Sequence, residues 1–124
     1  MTIHTLPAPK CIECGRQCAY RVTNGDNPNG NAGRPYYKCR YCGEFNGFVD
    51  DRGISPGNPR CDCGIPSRRQ AAGEHKQVPR GLHYVCGSLD GRKCVFYERM
   101  MGNDGHQLSV PRGQMNDLTS RSFI

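Results

Sequence analysis

Nine cysteines in 124 residues, eight of them in two closely spaced sets, restrict what this chain can fold into more than any other feature. Cys11-x2-Cys14 and Cys39-x2-Cys42 each put two thiols on a tight turn, from which both reach one metal ion on the same side. Cys61-x-Cys63, Cys86 and Cys94 make the second set. A closed disulfide framework fits poorly with an odd cysteine count. The stretch Met1–Lys10 has no apolar h-region of the kind that directs export, and no stretch approaches the roughly 18 apolar residues of a membrane span. The expectation is therefore an intracellular, nuclear protein without membrane contact, in a reducing compartment where clustered thiols bind metal.

The composition says why metal is needed. Only 35% of the residues are hydrophobic, tryptophan is absent, glycine and proline together number 25, and the mean hydropathy is −0.73. Modules of roughly 40 residues bury too little apolar surface to offset chain entropy and use metals or disulfides instead. The net charge is +6. Residues 10–50 carry six Lys/Arg against four Asp/Glu and residues 59–101 carry eight against four, while the rest sums to zero. Positive charge thus sits on the two cysteine-bearing segments, where a polyanion is attracted.

The stretch 33–42 concentrates these properties: a turn glycine, three cations, three tyrosines and a Cys-x2-Cys pair in ten residues. It reads as a strand bounded by Asn29–Gly33, and alternation places Pro35 and Tyr37 with Cys39 on the metal side. Arg34, Tyr36 and Lys38 fall on the opposite face. There two cations flank a ring, an arrangement suited to a nucleic-acid strand.

Taken in order, residues 1–9 read as a flexible lead-in and 10–51 as a first module. The first module has a strand over 19–23 and a turn-rich hairpin loop over 24–30. Residues 52–59 are a Gly/Pro linker expected to let two modules engage one strand. Residues 60–101 are a second module, and 102–124, without pattern, read as a disordered tail. The two modules are a duplication. Cys14-Gly15 corresponds to Cys63-Gly64 and Tyr37-Lys38-Cys39 to Tyr84-Val85-Cys86. An aromatic residue stands three positions beyond the last cysteine in each half (Phe45 and Tyr97).

These residues resemble the GRF-type zinc finger. The first half does so through Cys14-Gly15, Gly33-Arg34-Pro35-Tyr36-Tyr37-Lys38-Cys39 and Cys42; the second through Cys61-x-Cys63-Gly64, Tyr84-Val85-Cys86 and Cys94-Val95-Phe96-Tyr97. The resemblance implies a small zinc-stabilised β fold: two tandem fingers, each a crescent-shaped, three-stranded antiparallel sheet around one structural zinc. It also implies binding of single-stranded nucleic acid. Such fingers are mostly appended to DNA repair enzymes and topoisomerases, and small fungal proteins consist of them alone. The chain departs from the pattern in opening with Cys-x2-Cys rather than Cys-x-Cys and in reading Arg80-Gly81 where Gly-Arg is usual. It also has Val85 where the first half has Lys38, and lacks tryptophan after the last cysteine.

The expected zinc ligands are Cys11, Cys14, Cys39 and Cys42 for one ion and Cys61, Cys63, Cys86 and Cys94 for the other. Cys18 is a spare that could displace Cys11, although the duplication favours Cys11, and His83 is a weak competitor in the second site. The expected nucleic-acid contacts are Arg34, Tyr36, Lys38, Arg40 and Tyr41, then Arg68, Arg69, Arg80, His83, Arg92 and Lys93. Tyr37, Tyr84, Phe45 and Tyr97 are expected in the small cores, and His4, His75 and His106 in solvent. No catalytic constellation is present, so an enzyme is not expected. The partners expected are single-stranded DNA or RNA, with a protein-interaction adaptor as the rival reading and a monomer as the assembly.

Overall fold

The computed structural model describes residues 8–26, 30–89 and 93–124. Two sheets of three antiparallel strands each follow one another along the chain. The first has the order β1 (Cys18–Val22), β2 (Pro35–Cys39), β3 (Phe45–Phe48); the second has β4 (Arg68–Ala71), β5 (Leu82–Val85), β6 (Tyr97–Arg99). β1 and β2 pair with Cys18 opposite Cys39, Tyr20 opposite Tyr37 and Arg21 opposite Tyr36. Directly opposed residues share a face. The inward face therefore buries Cys18, Tyr37 and Cys39 with Cys11 and Val49, and Tyr20 meets Tyr37 edge-on at 6.0 Å.

The β2–β3 pairing contains a bulge that sequence alternation does not reveal. Tyr36 faces Phe48 and Lys38 faces Phe45, so one residue of β2 lies opposite two of β3. Gly47 absorbs the extra residue at φ +106°, where a Cβ is disfavoured. Asn46 turns inward, accepting from the Ile12 amide at 2.9 Å and donating toward Cys11 Sγ at 3.5 Å. Phe45 and Phe48, three residues apart, consequently lie on one face with Tyr36. The ring centroids are 4.9 Å apart for Phe45–Phe48 and 5.7 Å for Tyr36–Phe45.

The second sheet repeats the order with Arg69 opposite Tyr84 and Val85 opposite Tyr97. Its apolar side is covered by residues 102–124, which correct the expectation of a disordered tail. Leu82, Val110 and Ile124 form one buried cluster with Met115, Leu118 and Phe123 packed against it. A 3-10 turn over Arg112–Gln114 leads into α1 (Met115–Ser120). No described helix is long and apolar enough to cross a membrane.

Residues 52–59 are likewise not a free linker. The Gly53 carbonyl accepts from the Arg69 amide at 2.8 Å and from buried Asn58 Nδ2 at 2.9 Å, and Ile54 bridges to Arg68. Across this seam Asp50 of the first module holds Arg34 in a two-bond fork, both at 2.8 Å, and accepts from Arg68 Nη1 of the second module at 2.9 Å. Arg68 also donates to the backbone carbonyls of Arg52, Phe48 and Asp50. The Arg52 guanidinium grips the Ile124 carbonyl, with bonds of 3.1 and 3.2 Å. The physical reason is charge burial: two guanidinium groups at 4% and 1% side-chain exposure need a shared carboxylate and carbonyls around them. The two modules are joined by a packed ionic seam.

Candidate metal centres and nucleic-acid interface

Each module brings together the four cysteines expected of it. Within each set the sulfur atoms lie within 4.8 Å of one another. Cys11–Cys42 and Cys14–Cys39 are 3.6 and 3.5 Å apart; Cys61–Cys86 and Cys63–Cys86 are 3.9 and 3.8 Å. A tetrahedron with Zn–S bonds of roughly 2.3 Å has edges of roughly 3.8 Å, whereas a disulfide would bring the sulfurs to about 2 Å. The spacing is that of a metal cage. The turns help to build it: Gly15 and Gly64, at φ +76° and +81°, let the chain double back so that their amides donate to Cys11 and Cys61 carbonyls, both at 2.9 Å.

The donor chemistry fits a dication. Burial works against the Cys11 thiolate, but hydrogen bonds from the Cys14 and Glu13 backbone and the Asn46 amide bring it down to about 6. Burial likewise opposes the Cys61 thiolate, and backbone donors at Gly87 and Cys63 bring it down to about 7. Burial and the neighbouring sulfurs Cys86 and Cys94 push Cys63 up to about 12. Each cage thus favours some thiolate charge and resists the rest, which a divalent cation at the centre neutralises. Zinc is the structural cofactor that this thiolate set takes, one ion per module. Four thiolates would fill the tetrahedral shell typical of a structural zinc. A structural zinc of this type supplies on the order of 10–16 kcal/mol toward folding.

Cys18 stands opposite Cys39 on β1 but outside the cage, buried at 4% exposure. Burial, with the sulfurs of Cys11 and Cys39 nearby, pushes its thiol up to about 11, so it is a core residue. His83 is not a ligand either. Its Nδ1 donates to the Gly81 carbonyl at 3.1 Å, and its Nε2 then accepts from Gln70 at 3.2 Å. These partners assign the neutral tautomer, and burial lowers the ring's basicity in the same sense.

The cations expected to meet a nucleic acid divide into two groups. Arg34 and Arg68 are buried in the seam, where Arg34 lies 3.5 Å over the Phe48 ring. Arg69 donates to Asn58 Oδ1 and the Phe123 carbonyl and covers the Phe123 ring at 3.9 Å. Arg80, at φ +55°, grips the Val110 carbonyl at 2.7 Å and Glu74 at 3.2 Å. The reversed Arg80-Gly81 order thus points this guanidinium at the C-terminal segment. Arg34, Arg68 and His83, expected as contacts, are buried, and half-buried Arg69 and Arg80 spend donors on bonds within the fold. Arg92 lies outside the described residues.

The exposed group is Lys38, Arg40 and Tyr41, with Arg16 stacked on Tyr41 at 4.7 Å. Tyr36 is half-buried within the Phe45–Phe48 cluster. Lys93 reaches from the second module across the Gly47 backbone of the first. Phe45 and Tyr97, expected in cores, are 41% and 57% exposed. Sequence reading also missed Arg21, exposed and directly opposite Tyr36; pairing the two strands residue by residue would have found it.

Among curated proteins none is similar to this sequence. Residues 8–52 match the family model of the GRF-like zinc ribbon domain. The chain is also similar to the crystal structure of human NEIL3 tandem zinc finger GRF domains, at 25% identity over 73% of this chain and 96% of that one, with a TM-score of 0.30. The family match thus reaches the first module alone, and the second is similar to it in fold and cysteine set.

Proposed function

We propose that this protein binds single-stranded nucleic acid, DNA or RNA, with little sequence preference and without catalysis, through the outer face of β1–β2–β3. One observation carries the reading: Phe45 stays 41% exposed in a ring cluster with Tyr36 and Phe48, and exposed cations stand in register beside it. Lys38 is directly opposite Phe45 and Arg21 directly opposite Tyr36. Unpaired bases stack on such rings for about 1–3 kcal/mol each, while the cations neutralise phosphates and release counterions. Rings read a base by its π-face, so the face discriminates single strand from duplex better than one base from another. Arg34 takes part indirectly, fixing the Phe48 ring from behind. The metal's contribution is rigidity: Cys39 ends β2, and the cage anchors the strand that carries Tyr36 and Lys38.

The test uses zinc-loaded protein and a labelled oligonucleotide of about 20 nucleotides, single-stranded and duplex, followed by fluorescence anisotropy across a salt series. Phe45→Ala is expected to weaken single-strand binding by about 1–3 kcal/mol. Lys38→Ala should flatten the log–log salt slope by about 0.7. Absence of binding to DNA and RNA at low salt would overturn the reading. Binding of a protein partner that is indifferent to salt would support the adaptor instead.

A further inference from the structure

We infer that the cleft between the two modules is the second half of one continuous groove, taking the nucleotides next to those held on β1–β2–β3. This inference rests on the reading above. Its basis is an equivalence between the modules that only the strand register exposes. Phe45 stands on the last strand of its sheet opposite Lys38, the residue just before ligand Cys39. Tyr97 stands on the last strand of its sheet opposite Val85, the residue just before ligand Cys86. The two exposed rings therefore occupy the same place in the two folds. His83 lies at the position corresponding to Tyr36, and it backs Tyr97 with its ring stacked at 5.2 Å, as Tyr36 backs Phe45.

The seam turns these equivalent faces toward one space. Two adjoining hollows of about 320 and about 700 Å³ lie between the modules, and Phe45, Phe48, Gln70 and Tyr97 line both. Both volumes are within the size of pockets that hold small organic groups. Because Asp50, Arg34 and Arg68 clamp the modules together, the two ring platforms are pre-aligned, and a strand bound by the first meets the second without the cost of ordering a linker.

Charge selects the occupant and its orientation. Lys93 lines the smaller hollow, and Lys76 and Arg99 line the larger. Glu44 lines both, and Glu13 the smaller one. Carboxylates repel phosphate and accept hydrogen bonds from the amino groups of bases. A single strand therefore fits with its phosphates along the lysine and arginine side chains and its base edges turned toward Glu44. Val85 in place of a lysine makes the second platform less basic than the first, so it extends a strand already bound.

The experiment measures binding of zinc-loaded full-length protein to labelled single strands of about 6 and about 12 nucleotides, lengths within the range covered by small stacking sites. Tyr97→Ala is expected to weaken binding of the longer strand tenfold or more and that of the shorter strand by less. Tyr97→Phe should recover most of the loss. Tyr97 is an exposed residue, and an unchanged zinc content of two ions confirms that the variant is folded. If Phe45→Ala weakens binding of both strands while Tyr97→Ala stays within twofold of wild type on the longer one, the composite groove is wrong and the first face stands alone. If the wild-type protein binds neither strand, the nucleic-acid reading falls and the groove with it.

Discussion

Replacing Asp50 with asparagine should separate the modules without dismantling either zinc cage. Asp50 accepts two bonds from Arg34 and one from Arg68, all between 2.8 and 2.9 Å. Its carboxyl is held below the ordinary carboxylate range: burial opposes this, and the Arg34 bonds and the Arg34 and Arg68 charges outweigh it. Asparagine keeps the shape but turns an NH2 donor against a guanidinium, and two nearly buried cations lose their counter-charge. Hydrogen bonds to charged groups are worth about 1.5–3 kcal/mol each, and breaking a buried pair costs about 3–5 kcal/mol. Asp50 itself keeps 21% side-chain exposure, so water screens part of this and the lower end, about 3 kcal/mol, is expected. Urea unfolding at saturating zinc measures that cost. Backbone 15N relaxation should show the two modules tumbling as one body in the wild type and more independently in Asp50→Asn, with two zinc ions still bound. A loss under about 1 kcal/mol with unchanged relaxation would refute the view that this ionic seam joins the modules.

Zinc stoichiometry separates cage from core: Cys18→Ala should retain two ions per chain, whereas Cys39→Ser should lose one, as read by metal analysis of dialysed protein. Ile124→Ala should destabilise the second module by about 2–4 kcal/mol in urea, because a side chain at 3% exposure leaves a cavity under the sheet; a change within about 0.5 kcal/mol would mean that the C-terminal segment does not pack there. Burial lowers the basicity of His83 in the fold. Its stabilising effect is therefore complete above the ordinary histidine range and declines as pH falls from about 6.5 toward the lowered value. Between about pH 7 and 5.5 the stability of His83→Gln should depend less on pH than that of the wild type.

Local chemistry determined most of the two cages, because closely spaced cysteines on tight turns share a metal and a glycine after a Cys pair marks the turn, while the match between the halves favoured Cys11 over Cys18. It determined the duplication for the same reason, and the core place of Tyr37 followed from alternation with Cys39. Side-chain exposure beyond the cages was decided by tertiary structure. Arg34 and Lys38 stand on the same short stretch, yet one is buried against Asp50 and Phe48 and the other faces solvent. That difference comes from Asp50, sixteen residues on from Arg34, and from Arg68 in the other module. The bulge at Gly47 broke the period of two that sequence reading relies on and brought Phe45 out beside Phe48. Residues 102–124 carry no periodic apolar pattern, since Val110, Leu118 and Ile124 stand at irregular spacing and meet in one cluster with Leu82 rather than lining one face of a regular element. A segment that packs by such irregularly spaced contacts is indistinguishable from a loop until the surface it covers exists.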